Sequence, residues 1–231
     1  MIREIEEALN KPTQTLVIDA PSTAEALSVR AVIKQLEKIK MKDIEAKANS
    51  IALDFATRAN KQNHREVSRN LLKQTGADLA EILLYSEGVK NTFEALVRYN
   101  IRLIKSIRET YLTKIESIVS QGVLSGKLTR DIAAEIKQAG KTSTKKALLI
   151  ARDQSAKANS SLTRARHEQV GIKKYQWSTS KDERVRQSHA ENEGKIFSYN
   201  KPPPTGNPGD EINCRCVAIP YFGDLKEFKK R

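Results

Sequence analysis

The residues best equipped for chemistry lie in the last quarter of the 231-residue chain, where Asp182, His189, Cys214 and Cys216 follow Trp177. The two cysteines and the tryptophan are the only ones of their kind, so these rare residues share one window of about forty positions. Two thiolates, an imidazole and a carboxylate are ligand types that a tetrahedral zinc accepts. A Cys-x-Cys pair on an extended strand presents both sulfurs to one side. If a helix carries Asp182, Arg186 and His189, their i, i+4, i+7 spacing places them on one face.

The pair supplies only half of a metal site, and two other readings stand beside the metal. In one, Asp182 pairs with Arg186, His189 hydrogen-bonds a loop carbonyl, and the thiols pack as small apolar groups. In the other, the thiols do redox chemistry. A disulfide between Cys214 and Cys216 is not expected, because an extended Cys-x-Cys holds its Cα atoms about 6.5 to 7 Å apart with nearly parallel side chains. His189 followed by Asn192 is similar to the arrangement in nucleases that use one metal and a general-base histidine. No second carboxylate, nucleophile elbow or glycine-rich phosphate loop accompanies it, so no catalytic residue is assigned. A metal-dependent nuclease is the competing function.

The elements around this window read as follows. Lysines 173 and 174 open a strand-like stretch, 173–178, and Ser180-Lys181-Asp182-Glu183 reads as a capping box that starts a short helix ending by Gly194. Residues 195–199 alternate as a strand, a rigid loop spans the prolines to Gly209, and 214–219 form a last strand. Upstream, the pattern is helical. Residues 13–19 form a β-prone piece in an arm over 1–21, and Ser22 caps a helix reaching about Asn60, with Ile44, Ala48, Ile51 and Phe55 on one face. A second helix covers about 66–85 and a third follows Gly88, carrying a seam of Val97, Ile101, Ile104, Arg108, Tyr111, Ile115 and Ile118. Gly122 ends it, a short helix lies between Leu128 and Gly140, and 141–144 is a polar hinge. Beyond the hinge, a helix to Gly171 turns Ala147, Ala151, Ser155, Ala158, Leu162 and Ala165 to one face and basic residues to the other. The predicted fold is mainly α: long helices in a bundle over 22–140, then a basic α+β unit over 141–231 in which a short helix packs on a small sheet.

With 39% hydrophobic, 30% charged and only 5% aromatic residues, the chain suits extended helices with narrow apolar stripes rather than one large globule. The formal charge is +13, and residues 141–231 carry 19 basic against 10 acidic side chains. That excess makes double-stranded DNA a candidate partner without sequence preference, through Lys146, Arg152, Lys157, Arg164, Arg166, Lys173 and Lys174. The plainer alternative is that the lysines keep the chain soluble. No apolar run reaches membrane-spanning length and the N-terminus lacks a signal-peptide core, so cytosolic residence, reduced thiols and no membrane partner are expected.

Taken together, Trp177, Asp182-x-Arg184-x-Arg186-x-x-His189, Gly194, Pro208-Gly209, Cys214-Arg215-Cys216 and Pro220 resemble the C-terminal domain of the phage Mu F-like minor head proteins, the phage head morphogenesis family. The resemblance extends over roughly residues 90 to 220. It implies a low-copy virion protein added to the procapsid interior in association with the portal protein, near major capsid or scaffold proteins, and assisting head assembly and DNA packaging or delivery. Catalysis is not what it implies. Relatives often carry an Arg-Thr-Glu-like triplet on the long helix, whereas this chain has Arg152-Asp153-Gln154, which keeps the arginine and shifts the acid. Some relatives continue into a toxin or enzyme domain; with eleven residues after Pro220, no such fusion is expected here.

Overall fold

The computed structural model describes residues 41–127 and 129–223; the expected arm over 1–21 and the Ser22 cap lie outside them. The order is α1 (Met41–Thr75), α2 (Ala80–Leu84), α3 (Glu87–Leu124), α4 (Thr129–Gln169), β1 (Lys174–Ser178), α5 (Gln187–Ala190), β2 (Ile196–Ser198) and β3 (Val217–Tyr221). Long helices followed by a small sheet are the mainly-α fold that the sequence pattern predicts. No helix among the described residues is long and apolar enough to cross a membrane.

The helices are longer and fewer than the sequence pattern suggests. No glycine or proline interrupts residues 41–75, so the first expected helix and the first half of the second, expected over 66–85, are one, α1; it stops before Gly76, and α2 is separate. Among its described side chains Ala48, Ala52, Ala56, Asn63, Val67 and Leu71 are buried, while Ile51, expected inside, is 56% exposed. The hinge expected at 141–144 is likewise helical. There the Thr142 and Thr144 hydroxyls bond back to the Gln138 and Gly140 carbonyls, at 3.1 and 3.0 Å, and do not cap a new helix. At the start of α3 the Ser86 hydroxyl accepts the Val89 N–H at 3.1 Å, a true N-cap.

The described residues divide into two compact units, one of 41–49 and 101–148, the other of 50–100 and 149–223. In the first, Tyr111, Ile115 and Ile118 of α3 pack on Ile136 of α4, with Val119, Ile132 and Ala139 beside them. Part of the expected seam is therefore an intramolecular helix contact. Gly122 does not end α3; it sits inside the helix, where a Cβ would come within 2.6 Å of the Ile132 side chain. The helix stops two residues before Gly126.

In the second unit Ala56 of α1, Val89 and Leu96 of α3, and Ala158 and Leu162 of α4 share one core. Of the small-residue face expected on α4, Ala158 and Leu162 are buried and Ala165 packs beside them, but Ala151 and Ser155 are exposed. The sheet belongs to this unit. Its order is β2-β1-β3, both pairs antiparallel, with Tyr175 opposite Phe197 on one side and Pro220 on the other, and Trp177 opposite Ala218. Strand alternation turns Tyr175 and Trp177 inward, where they meet Tyr199, Cys214 and Cys216. At the end of α4, the buried His167 joins helix to sheet through its Nδ1, 2.8 Å from the Tyr199 hydroxyl.

Burial pulls the His167 pKa from 6.5 down to about 4. Between these values the unfolded chain holds a proton that the native state refuses, so stability falls as pH drops from 6.5 to 4 and is unaffected by this group above 6.5. The full effect is roughly 3 kcal/mol. Melting curves of the wild type and His167→Gln across pH 7 to 4 check this: the variant should lose that part of the pH slope.

Candidate functional site

Where a capping box was expected, the chain turns. Lys181 takes a left-handed φ of 57°, and the Asp182 carboxylate accepts the Arg184 N–H at 3.1 Å, closing a local turn in place of a first helical turn. The helix α5 begins only at Gln187, so Asp182, Arg186 and His189 do not share a helical face. Asp182 instead clamps Arg215 with both carboxylate oxygens and stands 3.7 Å from Arg184. The hydrogen bond from Arg215 holds the Asp182 carboxyl below its ordinary range. The two cysteines also lie outside their expected element: β3 starts at Val217, and Asn213, at φ 57°, precedes them in a turn.

His189, Cys214 and Cys216 nevertheless converge. Among the described residues, they form the group whose ligand atoms all lie within 4.8 Å of one another, and all three are buried. His189 Nδ1 is 3.5 Å from Cys214 Sγ and 3.4 Å from Cys216 Sγ. Asp182 is not in this group. The acid that reaches the histidine is Glu211, whose Oε2 lies 2.9 Å from Nε2 and 3.2 Å from Arg186 Nη1. Arg186 also donates to the Ile212 carbonyl at 2.7 Å, tying α5 to the loop before the cysteines. The Trp177 ring stands at 89° to the imidazole, 5.4 Å between centroids, and walls the group on the sheet side. The Gly194 N–H, from the turn after α5, donates to the Trp177 carbonyl at 2.9 Å.

The thiols are unlike each other. A hydrogen bond from Cys216, reinforced by the backbone N–H groups of Cys216 and Gly209, pulls the Cys214 pKa down. The same bond, made to Cys214, pushes Cys216 up. The Gly209 N–H donates to Cys214 Sγ at 3.3 Å.

The loop that carries the cysteines is fastened to α4. Gly209 has φ 92°, and a Cβ there would lie 2.6 Å from Ser160 Cβ and 3.3 Å from the Ala156 carbonyl oxygen. Ser160 donates its hydroxyl to the carbonyl of the buried Pro208. Asp153 accepts the Asn213 N–H at 2.9 Å and is itself held by Lys157 at 2.8 Å. Thus the middle residue of the Arg152-Asp153-Gln154 triplet fixes the loop. Asp153 and Glu211 are the residues that sequence reasoning missed. The triplet drew attention to position 153 without a role, and Glu211 is an isolated loop acid that no spacing marks.

A cavity of about 530 Å³ opens on the group and is lined by His189, Cys214, Cys216 and the arginines Arg152, Arg184, Arg186 and Arg215. Among the described residues that line it there is no carboxylate, although Asp182 and Glu211 pair with its arginines.

The basic residues assigned to nucleic acid differ in exposure and pairing. Arg166 is wholly buried, its guanidinium 2.6 Å from the side-chain oxygens of both Asn63 and Asn60. Asn63 in turn donates to Asn159 and Thr163 of α4. Burial brings the Arg166 pKa down to about 10, so it remains charged at neutral pH, but it cannot meet a phosphate. Its expected place on the solvated face is corrected: it is the polar tie between α1 and α4. Lys157 is paired with Asp153. Arg164 pairs with Glu168 at 2.8 Å and lies 5.5 Å from the Tyr199 ring centroid. Lys146, Arg152, Lys173 and Lys174 are exposed.

Residues 113–219 match the family model described as "Phage Mu protein F like protein". A protein of Haemophilus influenzae described as uncharacterized is 48% identical over all 231 residues; the chain spans 52% of its length, about half. No solved structure matches the chain.

Gly209→Ala should destabilise the second unit by roughly 3 kcal/mol, since it adds a steric collision to an unfavourable φ. Gly171→Ala is the control. Gly171 shares a positive φ, 77°, but has open space around its Cβ direction, and should cost only about 1 kcal/mol. Chemical denaturation of both variants checks the difference, and equal losses would contradict the close approach of loop to helix.

Proposed function

We propose, from the match of residues 113–219 to the Phage Mu protein F like family, that this chain is a minor structural head protein of a tailed bacteriophage. It acts at low copy in head morphogenesis, inside the procapsid and beside the portal, and assists DNA packaging or delivery. The observation that carries this reading is the extent of the match. It takes in the end of α3, all of α4, the sheet through Ile219, and the His189–Cys214–Cys216 group with its supporting loop.

The part played here is structural. The cavity beside the histidine and cysteines is lined by arginines, and both ring nitrogens of His189 are engaged, one by Glu211 and the other by the two sulfurs. Contact with double-stranded DNA rests on Lys146, Arg152, Lys173 and Lys174, which are exposed, rather than on Arg166, which is buried. Exposed lysines and an arginine on α4 and at the start of β1 neutralise phosphates without reading base edges.

Quantitative mass spectrometry of purified virions tests the assignment: a few to a few tens of copies per particle are expected, and absence or several hundred copies would contradict it. For the DNA contact, affinity should fall steeply between about 50 and 200 mM salt, with no sequence preference. Lys173→Glu with Lys174→Glu should weaken binding and shallow the salt slope. A flat salt response would contradict the contact, and cleavage of the DNA with magnesium, manganese or zinc would favour a nuclease instead.

A further inference from the structure

The geometry points to a zinc site formed by His189 Nδ1, Cys214 Sγ and Cys216 Sγ, with its fourth position open to the arginine-lined cavity. Zinc binds thiolate at about 2.3 Å and imidazole nitrogen at about 2.0 Å, so tetrahedral angles place nitrogen and sulfur about 3.5 Å apart. The two separations here are 3.5 and 3.4 Å. One ring nitrogen has a single lone pair or a single proton and cannot serve two sulfurs equally by hydrogen bonding. A shared cation in front of it can.

The surrounding groups prepare each ligand. Glu211 accepts at Nε2, which fixes the ring proton there and turns the Nδ1 lone pair to the sulfurs, the outer carboxylate that zinc-bound histidines commonly have. Arg186 holds Glu211 in that position. The Gly209 N–H supplies Cys214 with a backbone donor. Asp182 is committed to Arg215 and is not a ligand.

Three protein ligands leave one position, and the cavity lined by all three decides what fills it. Its lining arginines are Arg152, Arg184, Arg186 and Arg215, of which the last three already pair with Asp182 or Glu211, so the fourth ligand is water that a small anion beside Arg152 can replace. The site is thus an anchor for the cysteine loop and an anion position in one. It does not depend on the head-protein assignment, because its test reads metal rather than assembly.

Full-length protein purified without chelator should carry about one zinc per chain by elemental analysis. Replacing zinc by cobalt should give thiolate-to-cobalt charge-transfer absorption and the strong visible bands of a tetrahedral ion, and these bands should shift on adding azide. Cys214→Ser or Cys216→Ser should remove the charge-transfer band or the metal. Should those variants fail to fold, Glu211→Gln keeps the test intact: it retains the fold and binds zinc 10- to 100-fold more weakly. Metal-free protein whose melting is unchanged by a chelator, or a cobalt form without thiolate bands, would overturn the site. Cobalt bands that ignore azide would overturn its open position.

Discussion

The second unit depends on one close approach of backbone to backbone. The loop around Gly209 lies so near α4 that no side-chain carbon fits between Gly209 and Ser160. Everything at the site follows from that contact. With Pro208 bonded to Ser160 and Asn213 bonded to Asp153, the stretch from 208 to 213 is held at both ends against one helix. Cys214 and Cys216 then emerge at a fixed place, beneath the Trp177 ring and within reach of His189. A looser loop would leave two thiols and an imidazole as unrelated surface groups.

The helical part of this unit is organised by a buried cation rather than by apolar stripes alone. Arg166 is held between Asn60 and Asn63, and Asn63 reaches Asn159 and Thr163, so α1 and α4 are joined by amide and hydroxyl groups where hydrophobic residues would be expected. A charge in such a place is costly unless its donors are matched, and removing one partner leaves the others unpaired. Polar ties of this kind fix the register of two helices. Alanine faces such as Ala52, Ala56 and Ala158, by themselves, would allow sliding.

Residue types announced the site, whereas local geometry did not. Trp177, His189, Cys214 and Cys216 stood out because they are rare and clustered, and they do converge. Asp182 was legible as an acid near them but not as the partner of Arg215, because the side chain's choice between a helix cap and an Asx turn depends on contacts 33 residues away. Glu211 left no periodic signal, since loop residues are placed by what the loop touches. On the helices, Gly122 and the threonines at 142 and 144 looked like stops. They continue the helix because Ile132 fills the space over Gly122 and the hydroxyls bond back within the turn. Arg166 misled for a similar reason: a periodic pattern assigns charge to solvent, and the asparagines opposite it lie about a hundred residues earlier.

Amide hydrogen exchange tests the central claim, that the cysteine loop is a fixed part of the core rather than a surface connection. The N–H groups of Gly209 and Asn213 are bonded to Cys214 Sγ and to the Asp153 carboxylate. Both should exchange as slowly as the amides of β1 that pair with β2 and β3, opening only when the second unit unfolds. Exchange of these two amides at the rate of an open chain, while β1 stays protected, would contradict the account.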